Sequence, residues 1–171
     1  MRHALVLLSL LSLHVNATPG VEILTNKGTM VFELDTSKTP QTAARFVELA
    51  NSHWYEGKQF YRVVSGHVIQ AGLNDDNHPD MKKYAVPAEF QGQFSHKRGC
   101  LGLARDEDPN SGSTEFYVCH QDRPHLDGRY AVFGRLVKGV EVLDAIAASE
   151  VKQIWLDNPG GKPVAFHQPL Q

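Results

Sequence analysis

The side chains able to do chemistry in this sequence fall into a few short stretches. Cys119-His120-Gln121-Asp122-Arg123-Pro124-His125 gathers a thiol, imidazoles and a carboxylate, the ligand types that bind zinc or copper, in a chain with nine histidines. Pro124 and the flanking Arg123 leave no closed ligand set, so the stretch reads as a strand end followed by a loop, and no metal is expected. Ser111-Gly112-Ser113 offers hydroxyls but lacks the elbow pattern around a nucleophilic serine, and no activating base stands out. It reads as a loop. Arg62 and Gln70 are of another kind, because both lie in short runs of β-type residues. A guanidinium stays charged at any relevant pH and presents several donors in a rigid plane, which suits it to hold an electron-rich group in a fixed direction. Taken alone, Arg62 reads as a surface charge or ion-pair partner and Gln70 as a polar strand residue.

The two cysteines exclude a disulfide-dense miniprotein and a four-thiolate zinc site. The runs Cys100 to Ala104 and Phe116 to Cys119 should pair antiparallel with Leu103 opposite Phe116, which sets Cys100 opposite Cys119. A cross-strand disulfide in an oxidising compartment and a pair of buried free thiols both fit this placement.

The elements that hold these residues follow from periodicity. Val21 to Leu34 alternates on both sides of Asn26-Lys27-Gly28 and predicts a hairpin. Thr39 is placed to cap a helix with Pro40 at its first position, and Ala43, Phe46, Val47 and Ala50 then recur at helical spacing to about His53. Short strands are expected at Phe60 to Val64, Val68 to Ala71, Cys100 to Ala104, Phe116 to Cys119 and Tyr130 to Val137. Val140, Leu143, Ile146 and Ala147 form a second helical stripe, and Pro163 to His167 returns as a last strand. His96-Lys97-Arg98 reads as a solvated loop. Many short strands with two isolated helices suggest a closed barrel with helical lids, since closure removes exposed edges.

Four blocks in one order carry a family resemblance. Phe60-Tyr61-Arg62-Val63-Val64-Ser65-Gly66-His67-Val68-Ile69-Gln70-Ala71-Gly72 resembles the cyclophilin signature F-H-R-V-I-x-x-F-M-I-Q-G-G. Leu103-Ala104-Arg105 with Ser113-Thr114-Glu115-Phe116-Tyr117 resembles M-A-R-T…S-Q-F-F, and His125-Leu126-Asp127-Gly128 with Ala131-Val132-Phe133-Gly134 resembles W-L-D-G…V-V-F-G. Val137 to Asp144 matches the segment opening the last helix. The pattern is similar to bacterial exported members. The resemblance implies a mainly β fold, a closed eight-stranded antiparallel β-barrel capped by two α-helices, and peptidyl-prolyl cis-trans isomerase activity on proline-containing unfolded or flexible segments, by a monomer, with no cofactor. It implies Arg62 and Gln70 as catalytic residues, and Tyr61, Ala104 and Arg105 as substrate contacts. It also implies a proline pocket floored by His67, Val68, Tyr117 and Leu126, and a rim formed by Glu115, His125 and Tyr130.

The chain departs from the family pattern at the site. His67 and Tyr117 stand where Phe is usual and Val68 replaces Met, which implies a more polar floor and weaker proline binding. Glu115 replaces Gln, and its carboxylate is expected to pair with Arg62 or Arg105 and compete for the donors that a substrate needs. These departures support a rival reading, a binding module or chaperone that holds proline segments and turns them over poorly.

Composition sets the outer limits. A chain of 171 residues, 42% hydrophobic and 21% charged with a net charge of −2, suits one soluble domain and shows no basic run of the kind that tracks nucleic acid or anionic lipid. Met1-Arg2-His3 followed by the apolar stretch Ala4 to Leu13 and by Val15-Asn16-Ala17 reads as a signal peptide over residues 1–17. The remaining single domain, 18–171, is then expected to be exported to a periplasmic or extracellular space, with no membrane attachment after cleavage.

Overall fold

The computed structural model describes residues 19–74 and 80–149. The chain opens with the expected hairpin, β1 (Gly20–Thr25) and β2 (Gly28–Leu34), in which inward and outward residues alternate as they do in a sheet with one buried face. Gly28 turns the chain at φ 127°, and a Cβ there would come within 2.8 Å of Val142, so glycine is required both by the turn and by the helix packed over it.

Helix α1 (Pro40–Asn51) buries Ala43, Phe46, Leu49 and Ala50 along one face. Thr39 precedes it as expected but does not cap it: its hydroxyl donates to the Asp35 carbonyl at 2.8 Å. The Glu89 carboxylate, far along the chain, accepts instead from the Gln41 and Thr42 amides at 3.1 and 2.9 Å. A sequence window around the helix start cannot reveal a cap delivered from so far away.

The remaining elements are β3 (Arg62–Val64), β4 (Val68–Ala71), β5 (Cys100–Leu103), β6 (Phe116–Cys119), β7 (Val132–Lys138) and α2 (Val140–Ala147). The strands form one antiparallel sheet in the order β1-β2-β7-β5-β6-β4-β3. β5 and β6 are buried at every position, which is why both read as short continuous apolar runs. Phe46 from α1 meets Phe116 of β6 edge-to-face at 5.2 Å and Phe133 of β7 at 5.1 Å, and these rings with Tyr55 and Phe60 tie the helix to the sheet. α2 lies against β2 and the β3–β4 hairpin.

The expected mainly β fold with two helices is present, and among the described residues its sheet is curled and seven-stranded, with β1 and β3 at its edges. The expected last strand, Pro163 to His167, lies outside the described residues, as does the signal segment 1–17.

Candidate active site

The β3–β4 hairpin sets the two polar residues side by side. Arg62 pairs with Gln70 across the strands, so both side chains emerge on the same face, and the Arg62 Nη1 donates to Gln70 Oε1 at 3.2 Å. Gln70 in turn lies opposite Tyr117 on β6. The fold thus gathers residues from four chain segments into one groove of about 200 Å³, lined by Arg62, His67, Val68, Gln70, Ala104, Arg105, Tyr117, Leu126 and Tyr130. Tyr61 and Glu115, expected beside these, line the adjoining cavity with Gln70, Ala104 and Arg105. His125 stands off both cavities and stacks on His67 at 6.5 Å between ring centres.

Two expectations about the departing residues are corrected. Glu115 pairs with neither Arg62 nor Arg105. Its Oε1 accepts from the Tyr61 hydroxyl and from Gln70 Nε2, the latter at 3.1 Å, and Gln70 Nε2 also donates to the Tyr61 oxygen at 2.8 Å. Since the amide nitrogen of Gln70 faces Glu115 and Tyr61, its carbonyl oxygen is turned to Arg62. Burial, reinforced by the bond to Glu115, pushes the Tyr61 phenol well above its ordinary pKa, so it remains a donor. Arg105 is occupied elsewhere: it donates to the Arg129 and Asp106 carbonyls at 2.9 and 2.7 Å and lies over the Tyr130 ring at 4.7 Å.

Tyr117 does not turn its hydroxyl into the groove. The hydroxyl bonds His96 Nε2 at 2.7 Å, and His96 Nδ1 bonds Asp127 Oδ1 at 2.6 Å. With the imidazole proton on Nδ1 facing the carboxylate, Nε2 accepts and the tyrosine donates. His96 is 1% exposed, so its expected place in a solvated loop is also corrected. Burial lowers its pKa against the opposing pull of Asp127, and burial raises that of Tyr117. The floor therefore presents the aromatic ring of Tyr117 beside Val68 and Leu126. No local pattern marks His96. The available signal was chemical: a tyrosine at a buried floor position needs a hydrogen-bond partner.

His67 is the polar member of the floor. Arg123 Nε donates to its Nδ1 at 2.8 Å, which leaves the ring proton on Nε2. Burial, then the charges of Arg123 and Arg62, lower its pKa. In the Cys119 to His125 stretch Cys119 is buried and His120 bonds the Gly66 amide and Asp144, and no group of three such ligands converges among the described residues. Cys100 and Cys119 are free thiols with their sulfurs 2.9 Å apart, and the β5–β6 register puts Leu103 opposite Phe116 as expected.

A guanidinium held by Gln70 beside a groove floored by Val68, Tyr117 and Leu126, on a curled antiparallel sheet with two helices, fits a prolyl-peptide isomerase. The family model for "Cyclophilin type peptidyl-prolyl cis-trans isomerase/CLD" matches residues 20–165. The chain belongs to the cyclophilin-type peptidyl-prolyl cis-trans isomerase family and catalyses rotation about X-Pro bonds in proline-containing peptides. It is 36% identical over 147 residues to a peptidyl-prolyl cis-trans isomerase of Acinetobacter baylyi, covering 81% of this chain and 77% of that one. It is 34% identical over 137 residues to one from Helicobacter pylori, covering 78% and 83%. A crystal structure of a cyclophilin-type isomerase from Cryptosporidium parvum superimposes with a TM-score of 0.73 at 24% identity, covering 89% of this chain and 99% of that one, which supports the fold.

Proposed function

We propose that Arg62 drives the isomerisation by donating to the prolyl nitrogen of the twisted amide, while Gln70 holds Arg62 and aligns the substrate backbone. Amide resonance puts rotation about 18–20 kcal/mol uphill, and twisting frees a lone pair on nitrogen that exists only near the barrier top. A donor aimed there lowers the barrier without breaking a bond, so no cofactor is called for. The observation that carries this reading is the Arg62–Gln70 bond at 3.2 Å, in which Arg62 is bound to a neutral oxygen and keeps its remaining donors for substrate. The proline ring rests on Val68, Tyr117 and Leu126. The rival binding-module reading drew on the altered floor at His67 and Tyr117 together with Glu115; of these, Glu115 is engaged by Tyr61 and Gln70 and does not compete for Arg62.

A proline-limited refolding assay tests the proposal. Arg62→Ala should lose about 10²- to 10³-fold in rate, the usual effect of removing a preorganised donor. Undiminished activity in Arg62→Ala would remove Arg62 from the mechanism, and an inactive parent protein would favour the binding module.

We further propose that residues 18–171 are one exported domain released by cleavage after Ala17, acting as a monomer in a periplasmic or secreted setting on unfolded or flexible clients. N-terminal sequencing of the mature protein and its mass in solution check these points.

A further inference from the structure

We infer that the groove selects proline segments with an acidic residue flanking the proline, a preference that rests on the isomerase reading and is set by cationic side chains this chain leaves unneutralised. Arg45, Arg98 and Arg135 each hold a carboxylate, at 3.2 Å from Glu48, 2.7 Å from Asp144 and 2.8 Å from Glu33. Arg62, Arg105 and Arg123 have no such partner among the described residues. Their hydrogen bonds end on neutral acceptors: Gln70 Oε1, backbone carbonyls and His67 Nδ1. Arg62 and Arg105 line the groove, and Arg123 reaches its wall through His67.

The carboxylates nearest in sequence to Arg123 are already engaged. Asp122 takes Lys97 Nζ at 3.0 Å and the Arg98 amide at 2.8 Å, and Asp127 takes His96. Glu115 lies towards the other end of the groove. His67 closes the β3–β4 turn, Arg62 and Gln70 pair further along, and Glu115 precedes β6 beyond Gln70's partner Tyr117. At about 3.3 Å per residue the His67 and Glu115 ends are separated by on the order of 15 Å, several residues of an extended substrate. A substrate carboxylate near His67 therefore meets the Arg123 guanidinium without first meeting Glu115. Such a contact is partly exposed, so it contributes a modest factor and weakens with salt.

The test measures kcat/KM by NMR exchange for short peptides with Ala, Glu or Lys placed either immediately before or immediately after proline. Affinity for the same peptides is read from chemical-shift titration. At low salt the Glu peptide should exceed the Lys peptide about three- to tenfold at one of the two positions, with the gap closing as salt rises. Arg123→Glu should reverse the order and Arg123→Lys should keep it. Equal values for all three residues at both positions, or a preference indifferent to salt in the parent protein, would overturn the inference. Because affinity needs no turnover, a parent that binds selectively without isomerising would count against the enzyme reading and leave the selectivity standing.

Discussion

The Tyr117 hydroxyl donates to His96 Nε2 across 2.7 Å, and this buried bond fixes the ring that floors the proline pocket. Removing the hydroxyl in Tyr117→Phe keeps the ring but strands a buried imidazole nitrogen. The expected loss is about 1–3 kcal/mol of stability, read by urea denaturation, with kcat/KM for a proline peptide changed little. His96→Leu removes the same bond and also the imidazole stacked on the Tyr117 ring at 6.0 Å, so the floor loses both holds on that ring and KM rises while kcat holds. Equal KM values in the two variants would deny His96 this positioning role.

Gly102 bears on the same ring from the opposite strand. A Cβ at this position would lie 2.2 Å from Tyr117 Cζ and 2.5 Å from its hydroxyl oxygen. Gly102→Ala must therefore push the ring toward the groove and off His96, since β5 and β6 are both buried and cannot give way easily. The expected result is an increase in KM larger than that of any surface substitution, together with destabilisation of about 1–3 kcal/mol. Wild-type kinetics in a folded Gly102→Ala protein would contradict the packing described.

The pH dependence of stability follows from the lowered pKa of His96, which burial imposes despite Asp127. The unfolded chain takes up a proton near the ordinary value of 6.5, while the folded one resists until lower pH. Stability from this site is thus complete above that value and is lost as pH falls through the folded pKa. His67, also lowered, adds a change of the same sign. Urea denaturation between pH 8 and 5 should show the decline, and His96→Gln should flatten it in part. A slope unchanged by that substitution would place the titration elsewhere.

Glu115 tests how Gln70 is oriented. Both donors, the Tyr61 hydroxyl and Gln70 Nε2, converge on one oxygen of the carboxylate. An amide oxygen can accept both, so Glu115→Gln should stay within a few-fold of the parent in kcat/KM. Glu115→Leu takes the shared acceptor from both Gln70 Nε2 and the Tyr61 hydroxyl, which leaves Tyr61 alone to hold the amide's orientation, and kcat/KM should fall about tenfold, the effect of roughly 1.4 kcal/mol. Similar activity in both variants would mean that Glu115 does not set the orientation of Gln70.

What the sequence could show and what it could not divide along one physical line. Residues two or four apart on an element are tied by its period, so the β1–β2 hairpin, α1 and the β5–β6 register were legible, while the joint role of Arg62 and Gln70 came from the family resemblance. Contacts made by side chains across elements carry no period. Glu89 capping α1, His96 holding Tyr117 and Arg123 holding His67 each join segments that no window contains. The reading of Glu115 failed for the same reason: its charge suggested Arg62 or Arg105, but the sheet register brought Tyr61 and Gln70 nearer.

The cysteine pair gives the last prediction. Cys100 and Cys119 face each other with 2.9 Å between sulfurs, and the bond that Cys100 donates to Cys119, together with burial, pushes the Cys100 thiol far above its ordinary pKa. Exchange with an external disulfide requires a thiolate and access to it, and both are missing in the folded protein. A Cys100–Cys119 disulfide therefore has to form before the sheet closes over the pair, during folding in an oxidising compartment. Protein folded under reducing conditions should keep two titratable thiols after denaturation, even following long incubation of the native state with oxidised glutathione. Protein refolded in the presence of that oxidant should show none. Rapid loss of both thiols in the native state would mean that the pair is more accessible than its burial implies.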